Sequence, residues 1–80
     1  MNTLTVKSVR ALAKEVRFEK NSLVVFLADG REISAPLEWF PRLRNARESQ
    51  RKKWRLIGGG IGIHWPDVDE DISVQGLLQR

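Results

Sequence analysis

The sequence predicts a small α+β domain: a two-layer fold of an antiparallel β-meander and one packed helix, with further strand and a short C-terminal helix. Three observations carry that expectation. An Asp29-Gly30 pair separates two β-rich runs, residues 23–27 and 31–35. Leu37, Phe40 and Leu43 recur at helical spacing. Ile61, Ile63 and Trp65 alternate with Gly62 and His64 before Pro66 stops the run.

The N-terminal ten residues lack a clear period; Leu4, Val6 and Val9 suit either an added strand or a loose segment. Val16 and Phe18 alternate with Arg17 and Glu19, which predicts a first strand over 13–19. Lys20, Asn21 and Ser22 supply turn chemistry. The uninterrupted LVVFL run at 23–27 suits a central, well-covered strand. Asp-Gly is the strongest short hairpin signal in the chain, so residues 31–35 should return as a third strand with Ile33 inward. Pro36 breaks that sheet. Pro41 fits only the first turn of a helix, so regular helix should begin at Trp39 or Phe40, and Asn45 is a place where it can split in two. Arg44, Glu48 and Lys52 follow at i, i+4. Trp54, Leu56 and Ile57 should re-enter the apolar layer as a strand, and the strand at 61–65 should extend the meander.

Eighty residues make one domain, residues 1–80, of a size that buries about 60–65% of its unfolded surface. Three Trp and three Phe must therefore supply much of the core. The absence of cysteine rules out disulfides and thiolate metal sites. No apolar run approaches the ~20 residues of a membrane helix, and the N-terminus lacks a signal-peptide core. A cytoplasmic protein is expected. The net charge is +4, but seven of fourteen basic residues fall between Arg42 and Arg55, against Glu48 alone. The acidic group Asp67, Asp69, Glu70 and Asp71 sits apart in sequence. Such segregation favours charged partners and suits weak self-association.

Three chemical readings of the C-terminal third are tested by spacing. Gly58, Gly59 and Gly60 precede a strand-like run, whereas a phosphate-cradling loop normally opens a helix, so they read as a turn or bulge. The D-x-D-x-D pattern at 67–71 has Ile72 where a calcium loop needs glycine and Leu78 where it needs the closing carboxylate; no metal site and no cofactor is expected. Asp71 or Ser73 can instead cap a helix through Leu78. His64, the sole histidine, has no nucleophile beside it at local spacing and reads as structural, so no catalytic residue is assigned.

The strings PLEWFPRLRNA at 36–46 and WRLIGGGIGIHWPDVDEDISVQGLL at 54–78, with the LADGREI hairpin, resemble a bacterial family catalogued as domain of unknown function 2442. The likeness runs from about Val16 to Leu78, and IHWPDVDEDISV is its specific part. The resemblance implies a small α+β protein, antitoxin-like in being encoded beside a small toxin-like protein. Longer members carry a helix-turn-helix after this domain; the sequence stops soon after Leu78, which argues against autonomous operator binding.

The expectation is thus a non-enzymatic protein-interaction domain, partnered by a small protein encoded nearby. Trp39, Arg47, Arg51, Trp54, His64, Trp65, Asp67, Asp69 and Asp71 are its candidate contacts, with Trp39 and Trp65 equally suited to the core. The alternative is nucleic-acid binding through Arg42, Arg44, Arg47, Arg51, Lys52 and Lys53, with Trp54 stacking on a base.

Overall fold

The computed structural model describes residues 11–79, and the expectation for residues 1–10 lies outside them. Two antiparallel three-stranded sheets and three short helices make an α+β fold. The first sheet is β1 (Ala13–Phe18), β2 (Ser22–Leu27) and β3 (Glu32–Pro36), with β2 in the middle. The second is β4 (Arg55–Ile57), β5 (Gly62–Trp65) and β6 (Glu70–Ser73), with β5 in the middle.

The meander forms as its sequence dictates. Val25 pairs with Val16 on one side and Ile33 on the other, so Leu23, Val25 and Leu27 share the inner face. The unbroken apolar run has a use for its other face too. Val24 is 6% exposed there, and the Arg17 guanidinium lies 5.1 Å over the Phe26 ring. The β2–β3 loop is a three-residue one: Gly30 donates to the Leu27 carbonyl, Leu27 donates to the Arg31 carbonyl, and Gly30 takes φ 98°.

Past Pro36 the structure departs from a single packed helix. A 3-10 turn at Leu37–Trp39 is followed by α1 (Pro41–Arg44) and α2 (Glu48–Arg51), one turn each. Pro41 stands in the first turn, and Asn45 closes α1 by donating to the Pro41 carbonyl. Arg51 explains why the break is stable. Its Nε and Nη2 donate to the carbonyls of Leu43 and Arg44, satisfying the end of α1 from α2. Leu37, Phe40 and Leu43 still bury together, as their spacing required.

The strand over 61–65 belongs to a separate sheet and does not extend the meander. Its inner face brings Ile63 and Trp65 to the core, with Ile72 of β6 beside them. The acidic stretch is also more ordered than a solvated turn, since Glu70 and Asp71 begin β6. Ser73 then caps α3 (Val74–Leu78), its Oγ accepting from Gly76 N–H at 2.9 Å. Trp65 joins the parts. It is fully buried, meets Phe18 edge-on at 6.1 Å and donates from Nε1 to the Arg51 carbonyl at 3.1 Å. Truncation of such a side chain costs about 3–5 kcal/mol.

Candidate functional site

The sequence-predicted contact residues separate into three environments. Trp65 is core and presents nothing to a partner. Trp54 is half-buried against that core, while Trp39 is 42% exposed and packs edge-on against Phe40. Arg51 is structural: besides its two carbonyl contacts, its guanidinium sits 5.1 Å over the Phe18 ring. Arg44 and Arg47 are exposed.

The acidic turn lies against the basic segment in space, although the two are apart in sequence. Lys53 reaches the Asp67 carboxylate at 3.5 Å, and Arg42 donates to the Asp69 carbonyl at 2.6 Å. Lys52 pairs with Glu48 at 3.6 Å, as the i, i+4 spacing required. These are exposed contacts that orient the turn and add little stability. The carboxylates of Asp67 and Asp71 go to different partners, Lys53 and His64, and the described residues contain no grouping of three His, Asp or Glu able to hold a metal.

Strand register builds a second feature on the outer face of the second sheet. Arg55 lies opposite His64, which lies opposite Asp71, so a guanidinium, an imidazole and a carboxylate cross three strands in one row. His64 Nδ1 is hydrogen-bonded to Asp71 Oδ1 at 2.5 Å, which fixes the ring and turns Nε2 away from the carboxylate. Ser73, the nearest hydroxyl in sequence, caps α3. A shallow groove lined by Phe40, Ile72, Gly76 and Leu77 borders Asp71.

The most distinctive surface is the edge formed by β4. Sequence reasoning placed Leu56 and Ile57 in the apolar layer; the structure leaves them 39% and 41% exposed, beside Ile61 at 45%. The physical cause is position. Among the described residues β4 has a neighbour on one side only, and a three-residue edge strand lacks the flanking cover that hides an apolar strand. Lys52, Lys53 and Arg55, all exposed, lie next to this apolar group in the chain. The signal was available in the short strand between a basic run and three glycines, a layout typical of an edge.

Fold and surface together define a small α+β domain whose described residues include an edge strand with exposed apolar side chains. The chain belongs to the family described as protein of unknown function (DUF2442), which matches residues 13–80. Among solved structures it is similar to a protein of unknown function from Rhodospirillum rubrum, at 26% identity over 89% of this chain and 88% of that one, with a TM-score of 0.74. An uncharacterized protein from Chromobacterium violaceum shares the fold at 22% identity, over 96% of this chain and 72% of that one, with a TM-score of 0.73. No curated protein matches the sequence. No helix among the described residues is long and apolar enough to cross a membrane.

Proposed function

We propose that this chain is a non-enzymatic protein-interaction domain that docks an extended segment of its partner along β4. One observation carries the reading: β4, which among the described residues pairs with β5 alone, exposes Leu56 and Ile57 next to Ile61. Main-chain hydrogen bonds from an added strand supply affinity, and the apolar side chains supply contact area. Lys52, Lys53 and Arg55 favour an acidic partner segment and speed its approach. The family resemblance gives the finer reading, an antitoxin-like role toward a small protein encoded nearby.

Nucleic-acid binding is the weaker reading on this geometry. Arg51 is committed to the fold and Trp54 to the border of the core, so the stacking residue and one central cation are lost from that face. The deciding experiment is co-purification of the neighbouring gene's product with the wild-type chain and with a Leu56→Lys/Ile57→Lys double variant. The wild type should retain the product, and the double variant should release it while keeping a native melting transition. Equal capture by both would remove β4 from the interface.

A further inference from the structure

Asp29 and Gly30 form the one Asp-Gly or Asn-Gly pair in the sequence. Such a pair has a reaction of its own. The backbone nitrogen of the glycine, unhindered by a side chain, attacks Cγ of the aspartate. The N–Cγ bond forms, a carboxyl C–O bond breaks, and the oxygen leaves as water with the amide proton and the acid proton. Water then reopens the five-membered imide. Opening at Cγ restores aspartate, whereas opening at the main-chain carbonyl leaves isoaspartate, with the chain routed through Cβ and Cγ. Water is lost and regained, so the sequence of steps balances without an oxidant or reductant.

The folded hairpin occupies both reacting groups. Gly30 N–H donates to the Leu27 carbonyl at 3.0 Å, and Leu27 N–H donates to the Arg31 carbonyl at 2.8 Å. The carboxylate is turned toward residue 31. Its Oδ1 accepts from Arg31 N–H at 3.1 Å and its Oδ2 from Arg31 Nε at 2.9 Å. Nη2 completes the fork on Oδ2 at 2.8 Å. The hydrogen bonds of the Arg31 side chain, and after them that of its backbone N–H, also hold the carboxyl below its ordinary value. Ring closure draws on the protonated acid, since an ionised carboxylate has no ready leaving group. The folded hairpin keeps that fraction small.

We infer that Asp29–Gly30 is a site of spontaneous isoaspartate formation, held in check in the folded hairpin by Arg31. Opening of the hairpin releases the Gly30 nitrogen and the Asp29 carboxylate together. The product does not close in the same way, because isoaspartate lengthens the main chain by one methylene between Leu27 and Arg31. Closure of that loop sets the register in which Val25, fully buried, meets Ile33. The modification therefore marks chains whose hairpin has opened and hinders their return.

The test compares the full-length wild type with Arg31→Ala in mildly acid buffer, folded and in denaturant. Peptide mapping with electron-transfer fragmentation separates isoaspartate from aspartate at position 29, although the two have equal mass. The folded wild type should accumulate the product far more slowly than the denatured chain. Folded Arg31→Ala should accumulate it about two- to fivefold faster than the folded wild type, the factor that a solvent-screened ion pair supports. In denaturant the two chains should react alike, since the clamp is absent from both. Amide exchange at Gly30 distinguishes the clamp from simple opening: the rise in isoaspartate should exceed the rise in exchange.

If the denatured wild type forms no isoaspartate at position 29, the site does not exist and the proposal is overturned. Equal rates in the folded and denatured wild type overturn it as well, because the hairpin would then hold nothing back. So does a folded Arg31→Ala chain that reacts no faster than the wild type. A rise in that variant matched in full by exchange at Gly30 has the same consequence, since Arg31 would then only keep the turn closed.

Discussion

Gly60 is the residue on which the two sheets meet. Its carbonyl accepts from Ala13 N–H at 2.7 Å, and a Cβ built on it would lie 2.5 Å from the Ala13 carbonyl oxygen. Its φ of 120° adds strain for any L side chain. Gly59, one residue earlier, has φ 72° and open space around it. The run of three glycines thus contains unequal members. Gly60→Ala should cost roughly 3 kcal/mol or more, because a backbone clash and an unfavourable dihedral act together. Gly59→Ala should cost about 1 kcal/mol from conformation alone. Thermal melts of the two variants check this, with about 4–8 °C expected per kcal/mol for a chain of this size. A Gly60→Ala melt no lower than that of Gly59→Ala would show that β1 does not dock on this turn. Asp69 makes a related point. It holds φ 52° without being glycine, and its carbonyl is fixed by Arg42. Aspartate tolerates that conformation better than branched residues do.

Single elements were legible wherever a local period and a local stop agreed. The β2–β3 hairpin was readable because alternation, Asp29 and Gly30 all act within a few residues. The cap of the last helix was readable to one of two residues, Asp71 or Ser73, and it is Ser73. The division into two sheets was not, since it depends on the Ala13–Gly60 contact, which joins residues far apart in the chain. The β6 strand was hidden because Asp71 owes its place to His64 across the sheet and not to strand propensity. Leu56 and Ile57 misled for a simple reason: apolar character marks a preference for cover, and a short edge strand does not supply it. The hairpin carries its own prediction. The Arg31 side chain, hydrogen-bonded to Asp29, holds that carboxyl below its usual value, helped by the Arg31 backbone N–H. A lowered folded-state pKa gives stability that is full above the ordinary carboxylate range. It disappears as pH falls through the folded-state value. Asp29→Asn keeps the turn chemistry and should flatten the acid limb of a melting-temperature profile slightly, since solvent screens this surface pair. A steeper acid limb in the variant would contradict the assignment.

At the scale of the whole molecule, the basic segment and the acidic turn form one continuous surface, partly neutralised by Lys53–Asp67 and by Arg42 on the Asp69 carbonyl. That arrangement changes which residues can test the partner's identity. Reversing Arg51 would disturb the fold, because its hydrogen bonds to Leu43 and Arg44 and its ring contact with Phe18 would be lost, at about 1.5–3 kcal/mol for hydrogen bonds from a charged group. Arg44 and Arg47 are exposed, so Arg44→Glu/Arg47→Glu should leave the melting temperature nearly unchanged. For a protein partner steered by this face, the double variant should slow association and flatten its salt dependence, with a smaller effect on dissociation. For nucleic acid, wild-type affinity should fall steeply with salt, and the variant's log–log slope should shrink by about 2, one for each lost phosphate contact. Stopped-flow association with the co-purified partner and salt titrations against duplex and single-stranded nucleic acid separate these outcomes. Tight, salt-steep nucleic-acid binding that disappears in the double variant, with no protein captured along β4, would replace the interaction-domain reading with the nucleic-acid one.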